Sequence, residues 1–349
     1  MKSNQELFLS ESRILLVDHR EELDGNDWPL VDTIVVAYDL NDQRVLWRTT
    51  AHQGDYHLSP SKRYVAVLGR TMGHEVHLGV LDVGAGLYRR LDILAPDPWS
   101  VASYPGGSSL SDDGQLFASV LDGELNIWET ASSRLLHHQK VGSDRAWVVA
   151  FRPQSHDLTI EHRVLLADQT TPPTLALLIR KGESWQIEQR FERVVGYRWT
   201  NRGLMLGSPS GVSLYADGAA RIVLNVKSPV FAFSRDGRYV AYRTPGRSLN
   251  VFDLDAKRVA LSAPWVTLPK FRDGYVTAMG GGYLWRGDLK DGTSKVLRDF
   301  GRPSETVKIP FFGGTTTNTF YEYLLSDEGT RLYYQEPTKP ARVYDVDRL

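Results

Sequence analysis

Apolar residues in this chain come in short runs that alternate with polar ones at a period of two, the pattern of β-strands with at least one covered face. In LSDDGQLFASVLDGELNIWET, residues 110–130, Phe117, Ser119 and Leu121 fall on one face of an extended segment and Leu116, Ala118 and Val120 on the other. Asp122-Gly123 then supplies a two-residue hairpin signal, because both central residues of a type I′ turn need positive φ. Leu125 to Glu129 returns as the partner strand. A lone hairpin is marginal in water, so the unit needs neighbours.

The neighbours are in the sequence. The Ser-Asp-Asp-Gly turn is matched at Ser59-Pro60-Ser61-Lys62, Ser234-Arg235-Asp236-Gly237 and Ser326-Asp327-Glu328-Gly329. Looser versions lie at Ser10-Glu11-Ser12, Arg152-Pro153-Gln154, Asn201-Arg202-Gly203 and Arg272-Asp273-Gly274. Each precedes an apolar run: RILLVDH, RYVAVLG, QLFASVLD, HRVLLAD, LMLGS, RYVAY, YVTAMGG and RLYYQ. A second strand follows with a large apolar residue late in it, often beside an acid: Tyr38-Asp39, Leu81-Asp82, Trp128-Glu129, Ile179, Tyr215, Phe252-Asp253, Trp285 and Tyr344-Asp345. These late positions recur about every 44 residues, and four short strands per 40–45 residues is the spacing of propeller blades. The expectation is an all-β protein, a β-propeller of eight four-stranded blades with almost no helix. Seven blades is the alternative, if the atypical first and last units merge.

The units resemble WD40-type repeats and the related YVTN and PD40 repeats. FSRDGRYVAYRTPGRSLNVFDLDAKRVALS, residues 233–262, carries the turn, inner strand, hairpin and aromatic-acid ending of such a repeat. In the third unit Ser119, Asp122 and Trp128 match the strand-b serine, turn aspartate and strand-c tryptophan of the WD40 hydrogen-bonded set, which implies a structural role for them. A propeller implied by resemblance specifies architecture, not function.

The 349 residues read as one propeller domain, 1–349, since the repeats run from Glu6 to Asp347 and leave no room for a second fold. There is no cysteine, which removes disulfides and thiolate metal sites. Net charge is −1, with 41 basic and 42 acidic residues well mixed; no basic stripe supports nucleic-acid binding. Polar residues interrupt every apolar run of MKSNQELFLSESRILL, and no run approaches the roughly 20 residues of a membrane helix. A cytoplasmic location with no membrane partner is the expectation.

If strands a to d of each blade run outward from the axis, the a–b and c–d turns share one end of the blade and the b–c and d–a connections the other. Long segments lie at 20–32, 69–74, 92–107 and 301–319, all in the b–c/d–a set. Long loops that carry large side chains are disproportionately functional. Trp28, Trp99, Tyr104, Phe311 and Phe312 are the candidate anchors for a protein partner, with Arg70 and Arg247 as polar contacts, since interface centres favour aromatic residues and arginine.

Chemistry is sparse. GSPSG at 207–211 and GGSSL at 106–110 both miss the nucleophile elbow, and there is no P-loop, HExxH or dinucleotide fingerprint. His52, Asp55 and His57 in AHQGDYH, with His74, Glu75 and His77 in GHEVH, could converge near the second blade as zinc ligands. Strand placement instead favours structural roles, so no metal and no cofactor is expected. The acidic loop Glu21, Glu22, Asp24, Asn26, Asp27, Asp32 misses calcium-loop spacing. The leading expectation is a non-enzymatic interaction scaffold or adaptor. The alternatives are a lactonase- or lyase-like propeller enzyme, with His57, Glu75, Arg70 and Arg247 as candidates, or a small-ligand sensor with a site over the channel.

Overall fold

The computed structural model describes residues 5–19, 32–52, 54–70, 76–91, 93, 107–121, 123–141, 147–162, 174–244, 248–264, 269–280, 282–301, 305–308, 315–318, 322–335 and 341–349. The fold is an all-β propeller of eight antiparallel blades, and the only helix among the described residues is one 3-10 turn, Val346–Arg348. The chain forms two compact units, Ser3–Val194 and Val195–Leu349, each with four blades.

In seven blades the strands pair in chain order, a to b to c to d, and in blade 8 the three described strands also pair in chain order. Blade 1 runs Gln5–Ser10, Arg13–His19, Asp32–Asp39 and Arg44–His52; blade 2 runs Asp55–Leu58, Tyr64–Arg70, Val76–Asp82 and Leu87–Leu91. Blade 3 is Ser108–Leu110, Leu116–Leu121, Glu124–Glu129 and Leu135–Lys140, and blade 4 is Trp147–Phe151, Leu158–His162, Thr174–Lys181 and Ser184–Phe191. In the second unit, strand a of blades 5, 6 and 7 is Gly196–Thr200, Phe231–Phe233 and Lys270–Arg272, and three further strands follow in each. Blade 8 is described as three strands, Glu322–Leu325, Arg331–Gln335 and Arg342–Asp345.

The turn serine that marks the units has a structural cause. Ser59, Ser111, Ser234 and Ser326 are buried, and each hydroxyl accepts from the first backbone N–H of the coming strand region: Tyr64 at 3.2 Å, Leu116 at 3.0 Å, Tyr239 at 2.8 Å and Arg331 at 3.1 Å. The fourth turn residue takes a positive φ, which glycine accommodates without a Cβ clash at Gly114, Gly237 and Gly329. The acid closing strand c has its own cause. Asp39 Oδ1 accepts from the amides of Asn41 and Asp42, Asp82 Oδ1 from Gly84 and Ala85, and Asp253 Oδ1 from Asp255 and Ala256. Each is a side-chain cap on the c–d turn, and the Asp42 amide bond is the main reason the Asp39 carboxyl sits below the usual carboxylate range.

Burial follows blade contacts. The apolar clusters join consecutive blades: Val17, Val35, Val65 and Leu81 between blades 1 and 2, Leu68, Leu110, Phe117 and Trp128 between blades 2 and 3. Blades 3 and 4 share Ile127, Phe151 and Trp185, blades 5 and 6 share Met205 and Val240, and blades 6 and 7 share Val251 and Trp285. Strand b is therefore covered on both faces, and Phe117, Ala118, Val240 and Ala241 are all fully buried, as the alternation implies. Strand d meets solvent, so Val45, Leu87, Leu135, Ile222, Val259 and Val296 are exposed.

Three expectations change. Gly69 and Arg70, expected in a long b–c segment at 69–74, end strand b of blade 2 (Tyr64–Arg70), and five residues separate them from strand c at Val76. Strand b of blade 4 begins at Leu158 with LTIEH, ahead of the run HRVLLAD expected to form it; of that run His162 belongs to the strand and the rest lies outside the described residues. The polar alternation Thr159/Glu161 hid it, yet both side chains are buried. The segment 301–319 is not simply a loop: Glu305–Lys308 pairs with Thr315–Asn318 as a two-stranded hairpin between blades 7 and 8.

Candidate functional site

Connection length divides the blade ends. The a–b and c–d turns are all six residues or shorter, whereas the strand ends leave 20–31 and 163–173 as b–c connections and 92–107 and 300–321 as d–a connections. Trp28, Trp99, Tyr104, Arg247, Phe311 and Phe312 lie outside the described residues, as do Asp122, His74 and Glu75. Arg70 ends strand b of blade 2 at this same end, and its side chain is outside the described residues.

The inner strands of the first unit line an open pocket of about 430 Å³. Leu7, Leu58, Pro60, Val149 and Ala150 give it apolar walls, and His57, Ser108 and Ser109 give it polar groups. Strand a is the inner of the two edges of each four-stranded sheet, and an edge carries backbone donors and acceptors with no sheet partner. Neighbouring blades use some of them: Phe151 N–H donates to Ser109 Oγ at 3.3 Å, and Lys62 Nζ donates to Phe8 O at 3.0 Å. Ser108 Oγ, by contrast, is buried without a hydrogen-bond partner. Ser108 pairs in register with Ser119 of strand b, whose Oγ is likewise buried and unpartnered. Burial holds the His57 imidazole below the usual histidine range, opposed by the charge of Asp55.

A second cluster sits between blades 1 and 2. His52 closes strand d of blade 1, and its Nδ1 meets the hydroxyl of Tyr88. The ring of His77, on strand c of blade 2, lies 5.7 Å from that of His52, centroid to centroid. Desolvation first, then His77, lowers His52 to about 4, so it is neutral near pH 7. One member of each sequence pair, His52 and His77, is thus brought together. Among the described residues no group of three or more His, Asp or Glu side chains is placed to hold a metal.

Of the expected structural trio, Asp122 lies outside the described residues. Trp128 is buried against Phe117, edge to face with centroids 6.1 Å apart. Ser119 is fully buried. Its Oγ has no hydrogen-bond partner among the described residues. Missed in the sequence was Asp112, whose carboxylate takes the Ser61 amide of blade 2 on Oδ1 and the Gln154 amide of blade 4 on Oδ2, the latter at 2.6 Å.

No protein-family model matches the chain, and no curated protein does. Solved structures do. The C-terminal WD40 domain of Sif2 superposes with a TM-score of 0.58 over 96% of this chain and 92% of that one, at 8% identity. AztD from Citrobacter koseri gives 0.57 over 96% and 91%, at 12% identity. A chain of a mitotic checkpoint complex gives 0.50 over 84% and 86%, at 13% identity. The chain shares the β-propeller fold of these structures, a WD40 domain among them, and likeness at this level of identity shows the fold alone. No helix among the described residues is long and apolar enough to cross a membrane.

Proposed function

We propose that this propeller is a protein-interaction scaffold or adaptor whose b–c and d–a connections meet a protein partner. The observation that carries the reading is the one-sided placement of length: every connection longer than six residues belongs to that set. Ordering long segments costs backbone entropy, and placing aromatic residues in them adds an aggregation liability, so a purely structural disc gains nothing from them. Trp28, Trp99, Tyr104, Phe311 and Phe312 serve as anchors, and Arg70 and Arg247 as polar contacts at the rim. A chain of the same fold in a mitotic checkpoint complex is a precedent for assembly on such a scaffold.

The test is affinity capture from the native host with Trp99→Ala and Phe312→Ala, set against Asn41→Ala and Lys290→Ala in the c–d turns at the other end. Loss of a partner only in the first pair is expected, since truncating a central anchor typically costs about 2 kcal/mol or more. Equal capture by all four, or loss only in the second pair, rejects the assignment.

A further inference from the structure

Beyond the scaffold reading, and at a different place, we propose that the outer edge of blade 8 takes up an extended acidic segment of a partner protein as a fourth strand.

Seven sheets have four strands, and among the described residues the eighth stops at strand c, Arg342–Asp345. Past that strand the chain enters the 3-10 turn Val346–Arg348. Val346 N–H donates to Thr330 O at 2.8 Å. Antiparallel alternation from that bond turns the N–H and C=O of Tyr344 toward strand b and those of Val343 away from it. In other blades the residue two places before the acid that closes strand c faces strand d: Ala37 is opposite Trp47, Val80 opposite Arg89, Ile127 opposite His137 and Val251 opposite Leu261. Those four are at most 8% exposed, whereas Val343 is 37% exposed. An accessible apolar residue with outward backbone groups at a sheet edge is what strand addition uses.

Charge selects the occupant. The Arg298 guanidinium lies 4.7 Å from the centroid of the Tyr344 ring and 5.3 Å from that of Phe300. Arg342, two residues before Tyr344, falls on the same face of the strand. Both arginines are exposed, and among the described residues neither is in an ion pair. The nearby carboxylates are occupied: Asp345 by Arg331 and Arg348, Asp347 by Arg272 and Arg286, and Asp299 by the Gly301 amide at 2.7 Å. An added strand sets one side chain opposite Val343 and the flanking two on the face of Arg342 and Tyr344. An apolar residue between two acids complements that pattern, and a basic segment would meet like charge.

The full chain, deuterated and labelled with ¹⁵N in valine, is titrated with an acetylated, amidated peptide of seven residues that alternates glutamate and valine. The comparators are the same peptide with lysine for glutamate and the same peptide with its valines N-methylated, and the Val343 amide is assigned with Val343→Ala. A saturable shift of the Val343 amide by the glutamate peptide is expected, with binding at least tenfold weaker for either comparator. Arg342→Glu, a change at an exposed side chain, should narrow or reverse the preference for glutamate over lysine. The inference is overturned by no saturation, by equal binding of either comparator, by binding that leaves the Val343 amide unmoved, or by an unchanged preference in Arg342→Glu. It is also overturned if, in the free protein, the Val343 amide is as protected from hydrogen exchange as that of Val251, since the chain itself or a second copy would then fill the edge. The scaffold reading is untouched by any of these results, since its own test uses the blade-end connections.

Discussion

His52 Nδ1 meets the Tyr88 hydroxyl across the seam between the first two blades, so a residue ending one sheet is held by the outer strand of the next. Tyr56 adds a second tie, its hydroxyl donating to the His52 carbonyl at 2.9 Å. The imidazole is neutral here because burial, His77 and Arg90 all oppose its protonation.

That seam makes stability pH-dependent in a definite direction. The folded value of about 4 lies below the usual 6.5, so the unfolded chain binds the extra proton. The contribution is complete above pH ~6.5 and is lost progressively as pH falls toward 4, to a total on the order of 3 kcal/mol. Urea unfolding of the parent and His52→Gln between pH 7.5 and 4.5 should show the stability difference shifting in favour of the variant at low pH. His57 and His137, also lowered by burial, titrate in both proteins and cancel. Parallel pH curves would contradict the assignment.

Gly79 makes room for the same contact. A Cβ on this strand-c residue would overlap the Tyr88 ring and hydroxyl, so Gly79→Ala should push the phenol off His52 and cost about 1–3 kcal/mol through overpacking. Tyr88→Leu should relieve much of that cost, giving strong non-additivity in a double-mutant cycle. Additive effects would show that the ring does not pack there.

Asp112 joins three blades through their a–b turns. It accepts amides from Ser61 and Gln154, and its own carbonyl accepts from Ser61 Oγ at 3.0 Å. Asp112→Ala leaves two backbone donors without their carboxylate partner and should cost about 1–3 kcal/mol. Asp273→Ala, in the corresponding turn of blade 7, should stay within about 0.5 kcal/mol of the parent. Thermal melts of the two variants decide it, and equal melting temperatures would remove the bridging role.

The repeat was legible because its signals are local. Ser111 binds the amide of Leu116, five residues on, and Asp253 binds amides two and three residues on; such contacts leave a spacing in the chain. Strand b of blade 4 was not legible, because Thr159 and Glu161 are polar where the neighbouring blades carry apolar residues, and only the tertiary setting buries them. The hairpin at Glu305–Lys308 and Thr315–Asn318 was missed because ETVK and TTTN are too polar and too short to stand out. The sequence pointed to His52, His57 and His77 together, yet nothing in it shows that the His52 ring lies beside that of His77 while His57 lines an open pocket. That sorting depends on which blade face each residue takes. Asp112 and Ser108 were invisible for a related reason: the partners of one, and the lack of partners of the other, arise between blades.

Val240 is the sharpest test of the blade packing. It lies on strand b of blade 6, is fully buried, and packs toward blade 5 with Met205, Val212 and Phe233. Its register partners are Phe233 on strand a and Phe252 on strand c, so no water reaches it from within the sheet. Val240→Ala removes two methyl groups and should cost about 1–3 kcal/mol by transfer and cavity terms. Val240→Asp should cost more, because the carboxylate must either stay unpaired in an apolar cluster or take up a proton. Its loss of stability should therefore be smaller at pH 4.5 than at pH 7.5, relative to Val240→Ala at each pH, since the neutral acid is the cheaper form to bury. Urea unfolding of both variants at the two pH values reads the difference. If Val240→Asp unfolded at the same urea concentration as Val240→Ala at pH 7.5, the side chain would have to reach solvent and the two-sided burial of strand b would be wrong.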